Sequence, residues 1–271
     1  MHGSVGDLVS APGSKAGGLC LALLAVVTTS AALAASVQEG TLRVSITTQI
    51  RPFRLPRTEA APIDVFLAGH ISSSTGGVPS QLTRMTILVN RHGVLDTHAV
   101  PVCPVSEIRP ATTAHALERC GPSLIGSGHF WASVVFAEQG VYHTTGRLLA
   151  FDGESHGKPA VLAQIYTTQP FPSSFVVPFA ISHVAKGRYG TRLSAELPQA
   201  LGEWGFVDRI KMTIGRVVQR GASREKSFLD ASCPAPRGAK VAAFPLAHAE
   251  FSFAGGQELQ ATVVKSCGVA G

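Results

Sequence analysis

The stretch DGESHGKP, residues 152–159, sets Asp152, Glu154 and His156 on alternate positions of one short segment. Two carboxylates and an imidazole so close together can hold a divalent cation or exchange protons with a substrate. Surface turns recruit the same residue types for solvation and for left-handed backbone. The trio is therefore a candidate for binding, and no catalytic residue is assigned.

The two tryptophans, Trp131 and Trp204, form a second set, flanked by His129 and Glu203. An exposed indole beside a carboxylate can stack on a sugar ring, since the side chain is apolar in body and polar at its tip. Trp131 lies in an alternating run and is expected in the core. Trp204, in the glycine-bearing stretch QALGEWGF (residues 199–206), is the surface candidate. A third feature, Ser127 in Gly126-Ser127-Gly128, lacks the spacing and the strand-to-helix setting of a nucleophile elbow, and small residues there suit close strand packing. The histidines show neither H-x-H nor H-E-x-x-H, so no metal site and no cofactor are expected.

These residues need a scaffold, and the N-terminus says where it resides. Lys15 precedes an apolar core from Leu19 to Val27, and Ala32-Leu33-Ala34 closes it as an A-x-A cleavage site. The core is shorter than the ~20 apolar residues that span a bilayer, so residues 1–35 are expected to be a cleaved signal peptide rather than a retained anchor. Cys20 sits at the front edge of that core, unlike a lipidated cysteine, which follows it. The mature chain is expected to be secreted and free of the membrane.

Export changes how the remaining cysteines read. Cys103, Cys120, Cys233 and Cys267 are an even set in an oxidising compartment, so disulfides are expected; no C-x-x-C is present to suggest zinc. Four cysteines allow three pairings, and spacing alone does not choose among them.

An internal repeat does. RMTILVNR from Arg84 lies over RIKMTIGR from Arg209 without a gap, arginine at both ends and apolar residues alternating between them. Period-two alternation marks strands with one buried face. Each half then reaches Cys-Pro, at Cys103-Pro104 and Cys233-Pro234, and afterwards a similar strand, IGSGHFWA from Ile125 against LAHAEFSF from Leu246, with Phe130 over Phe251. The expected fold is all-β: a duplicated antiparallel β-sandwich of two similar repeats, residues 36–168 and 169–271, with two sheets per repeat and at most one or two short helices. The one helix proper is expected in TTAHALERC, capped by Thr112 or Thr113. If the Cys-Pro sites correspond, local pairing follows: Cys103 with Cys120 and Cys233 with Cys267.

Composition agrees with short strands and turns: charged residues are 15% of the chain, against 28 Gly and 17 Pro. A net charge of +6 is spread along the sequence, and RPFRLPR (residues 51–57) is its one tight cluster. No basic stripe interleaved with aromatics is visible along the chain, so nucleic acid is not an expected partner.

GEWGF (residues 202–206), the two Cys-Pro sites and LLAF (residues 148–151) make the chain resemble secreted all-β proteins of high-GC actinobacteria. That resemblance covers residues 42–267; it implies export and an all-β body, and no activity. The expected function is that of a non-enzymatic extracellular binding or structural protein, with a cell-wall polymer (anionic), a glycan or a protein as partner. The alternative is a secreted hydrolase or sugar-active enzyme whose site assembles from loops. A concavity joining Asp152, Glu154 or His156 to Trp204 or an arginine distinguishes the second from the first.

Overall fold

A computed structural model describes residues 34–136, 138, 140–197, 205–215, 217–220 and 223–270. The expected signal segment, up to residue 33, and Trp204 lie outside the described residues.

The chain is mostly β. It begins with β1 (Ala35–Glu39), β2 (Leu42–Arg51), β3 (Arg54–Leu55), β4 (Ala61–Pro62), β5 (Asp64–Ser73) and β6 (Leu82–Asn90). Short strands β7 (Gly93–Leu95) and β8 (Cys103–Pro104) lead to helix α1 (Thr113–Cys120). Then come β9 (Leu124–Phe136), β10 (Gly140–Ser155) and β11 (Lys158–Thr167). The remainder holds β12 (Ser173–His183), β13 (Tyr189–Glu196), β14 (Gly205–Ile214), β15 (Val217–Arg220) and β16 (Ser223–Ser227). It closes with β17 (Leu229–Ala231), β18 (Val241–Phe253) and β19 (Glu258–Val269).

Local sequence explains most of these elements. In β2, Leu42, Val44, Ile46 and Thr48 are buried at every second position. The helix begins where expected: the Thr112 hydroxyl accepts the His115 amide at 3.2 Å, satisfying a donor that the first turn leaves unpaired. The hairpin after Arg147 is longer than its composition suggests. Its strands run to Ser155 and from Lys158, so the turn is only His156-Gly157, both with positive φ (54° and 69°). Strand β7 stops at Leu95, because the Asp96 carboxylate then accepts the His98 amide and turns the chain.

One large curled sheet takes the place of the expected pair of sandwiches. Its order is β1-β2-β5-β14-β9-β10-β11-β12-β13-β6-β18-β19-β3, antiparallel except where β3 joins β19 and β8 joins β10. The curl brings β1 beside β19. Strands from before and after residue 169 interleave, so that β14 lies between β5 and β9 while β6 lies between β13 and β18. Curling lets each alternating strand bury its inner face against strands across the interior and leaves few open edges, which two separate sandwiches would multiply.

Registers match across the interleaving. Phe130 faces Ile210 on one side and Gly146 on the other; Phe251 faces Met85 and Leu259 in the same way. Irregularities match too. Asp208 is the extra residue where β14 meets β9, and Thr83 is the extra residue where β6 meets β18.

Three apolar clusters fill the fold. One joins β10, β11, β14 and β18 to Phe228, Leu229 and Cys233 inside the curl. A second lies between β1, β2, β5 and β18, β19. The third is on the outside of β10–β12, where α1 covers Leu149, Phe151 and Leu162. Cys103 bonds to Cys120 (Cα–Cα 5.6 Å) and Cys233 to Cys267 (5.7 Å), the pairs expected. The first ties α1 to β8, and the second ties the end of β19 to the segment after the small sheet β4-β17-β7.

Candidate functional site

Strand β9 sends successive side chains to opposite faces. Phe130 and Val134 are buried on the inner side, so His129, Trp131 and Ser133 belong to the outer face. Trp131 is therefore not a core residue, contrary to expectation: Phe130 holds the inward place of that alternation. The indole is half-buried, with the Arg209 guanidinium 5.7 Å and the Lys211 ammonium 5.9 Å from its ring centre. Both are within reach of the electron-rich face of the ring. His129 stands against its side, ring centres 6.3 Å apart.

Cross-strand register extends this contact into two rows. One runs Ser45, His70, Arg209, Trp131, Thr145 over β2, β5, β14, β9 and β10. The next runs Thr47, Ala68, Lys211, His129, Arg147, Tyr166, reaching β11. Arg209, Lys211, His129 and Arg147 are exposed, and neither row contains an acidic residue. Neighbouring strands are ~4.8 Å apart, so Lys211 and Arg147 stand on either side of His129 with Arg209 close by on the same face. A basic stripe with aromatics exists after all. It is built across strands that are distant in sequence, Arg147 and Lys211 being 64 positions apart, and so it is invisible along the chain.

At the edge of this face is a hydrogen-bonded line of three side chains. The Ser133 hydroxyl donates to Asp208 Oδ2 at 2.7 Å and lies 3.0 Å from His143 Nδ1. Asp208 reaches it because the bulge leaves that residue without a ladder partner and turns its side chain aside. With the serine proton directed at Asp208, Nδ1–H of His143 donates to the serine oxygen, and Nε2 is left as the acceptor on an exposed ring. Close strand approach supports the arrangement: a Cβ at Gly128 would collide with the Lys211 carbonyl and with Met212. Gly126 and Gly128, around Ser127, thus let β14 lie tightly on β9.

The residues singled out from the sequence do not meet. Asp152 is fully buried inside the curl, 0% exposed, and neither carboxyl oxygen has a hydrogen-bond partner among the described residues. Burial, and secondarily the Asp96 charge, push its carboxyl up to about 7, against a smaller opposing effect of the Gly153 amide. Glu154 is exposed, and His156 is exposed in the two-residue turn. Trp204 lies outside the described residues. Among the described residues, no group of three or more His, Cys, Asp and Glu is placed to hold a metal ion, and no helix is long and apolar enough to cross a membrane.

No protein-family model matches the chain, and no curated protein and no solved structure matches it.

Proposed function

We propose that the protein is a secreted, non-enzymatic binding protein, and that the outer face around Trp131 takes an anionic polysaccharide of a cell wall or matrix. The observation that carries this is the pair of rows holding Arg209, Lys211, His129, Arg147 and Trp131 with no acid among them. Like charges side by side on a sheet cost stability, so such a face needs a reason. An extended polymer with carboxylates or phosphates neutralises the cations, while Trp131 and Tyr166 present faces to its rings. A sheet surface suits a chain-like ligand better than a compact one.

The other part of the chain supplies a comparison. By matched register, Arg84 corresponds to Arg209, Glu196 to His70, Glu250 to His129 and Glu258 to Thr145. There Arg84 is bonded to Glu196 at 2.6 Å, and carboxylates stand where the first face has imidazoles or a hydroxyl. The fold therefore does not require a positive face at these positions. We read the matched registers and bulges as the trace of a duplication whose halves exchanged one strand each, β6 and β14. Export is supported by the two disulfides and by the signal-like N-terminus. It also makes a wall polymer the expected partner ahead of nucleic acid.

The hydrolase reading has one observation in its favour, the His143 Nε2 held outward by Ser133 and Asp208. However, the serine stands between imidazole and carboxylate, whereas activation of a nucleophile places the imidazole between the other two. The binding reading keeps the lead. It is tested by titrating the purified protein with alginate, a carboxylated polysaccharide, beside neutral dextran. Binding of alginate alone, weakened by salt, supports it; equal binding of both, or of neither, contradicts it.

A further inference from the structure

The matched halves differ inside the curl as well as outside. In one, Phe251, Phe253 and Leu259 pack in one cluster with Leu42, Val44 and Ile71, and Phe253 is 3% exposed. In the other, Phe130 corresponds to Phe251, but Ala132 stands at the place of Phe253 and Gly146 at that of Leu259. The Phe130 ring leans into the notch at Gly146, where an added Cβ would strike it. With alanine there, a pocket of about 80 Å³ lies among the described residues, walled by Phe130, Ala132, Val134, Ile165, Phe175 and Val177.

Polar groups border the cavity but make no demand on an occupant. The hydroxyls of Thr144 and Thr167 are 2.7 Å apart and lie 2.6 and 3.0 Å from the Gln169 carbonyl, so one hydroxyl donates to the other and that one to the carbonyl. The Gln81 amide is likewise spoken for, donating to the Gly205 carbonyl at 3.3 Å. A water here would find few partners, and an apolar pocket of this kind accepts apolar molecules. A charged ligand would lose its hydration without compensation.

We propose that this cavity is a second binding site, separate from the Trp131 face, for a neutral apolar group the size of one six-membered ring. The missing Phe253-type ring sets that size. The site is independent of the polysaccharide reading, because its lining side chains are on the inner sheet face and the cations are on the outer one.

Benzene is the probe. Under saturating benzene the intact wild-type protein is expected to melt at a higher temperature, with saturable shifts of core methyl resonances in NMR. Ala132→Phe, which restores the ring of the filled half, is expected to abolish both effects and to raise the melting temperature without ligand. Ala132→Leu, a smaller change that keeps the result readable should the phenylalanine not fit, is expected to weaken benzene binding at least tenfold. Absence of a saturable response in the wild type overturns the proposal. So does a folded Ala132→Leu variant that binds benzene as the wild type does.

Discussion

Asp152 and Lys265 occupy corresponding positions, each the second residue beyond a matched irregularity in its hairpin, after Ala150 in β10 and after Val263 in β19. Burial acts on both, raising the carboxyl of Asp152 to about 7 and lowering the ammonium of Lys265. These two register-matched positions thus carry an acid that holds its proton up to about pH 7 and a base whose charge is disfavoured.

This sets a pH dependence. A folded-state pKa raised from the usual carboxylate value means that the folded form holds the Asp152 proton more tightly. The associated stability is fully present below about pH 4 and is lost as the pH rises through about 7. Lys265 works the other way, its cost relieved only as the solution turns alkaline. Asp152→Asn is expected to flatten the decline between pH 4 and 8 and to stabilise the protein at pH 8 by about 2 kcal/mol, less than the full shift because the amide is itself a buried polar group. Urea titrations at pH 4, 6 and 8 measure this; a variant as pH-sensitive as the wild type refutes the assignment.

The disulfides should differ in worth. Their loops separate the cysteines by 17 and 34 residues, a factor of two, which corresponds to about 0.6 kcal/mol of closure entropy. Each bridge should contribute ~2–4 kcal/mol. Removing Cys233 and Cys267 together as serines is therefore expected to cost more than removing Cys103 and Cys120, with strand content by circular dichroism unchanged in both. The reverse order would show that docking of α1, rather than closure, governs the effect.

Gly128 is expected to be intolerant. An added methyl group would meet backbone of β14, which cannot rotate away as a side chain can. Gly128→Ala should cost about 2–3 kcal/mol, whereas Gly77→Ala, with open space around it, should be close to neutral. Equal melting temperatures for the two variants would contradict the tight β9–β14 packing.

Much of the fold was legible in the sequence because its signals are local. Alternation in residues 84–91 and 209–216 marked β6 and β14, and Thr112 marked the start of α1. The cysteine pairing followed from assuming that corresponding Cys-Pro sites pair within their own halves. Interleaving was not legible: β14 between β5 and β9 is a long-range choice that leaves each strand's own alternation unchanged. The Trp131 face is illegible along the chain for the same reason, since Lys211, His129 and Arg147 become neighbours only through register. Along the chain Asp152 resembles a turn residue because Gly153, Glu154 and Ser155 follow it, yet these continue β10 up to His156-Gly157.

The central claim is that the Trp131 face binds an anionic polysaccharide, and calorimetric titration of alginate into wild-type protein and into two variants tests it most directly. Trp131→Ala is expected to weaken binding about tenfold, the scale of one aromatic contact, and Arg209→Ala with Lys211→Ala to weaken it further and to reduce its salt dependence. Arg84→Ala, at the corresponding place of the other half, should bind as the wild type does. Unchanged affinity in Trp131→Ala and in the Arg209, Lys211 double variant, or an equal loss in Arg84→Ala, would contradict the account.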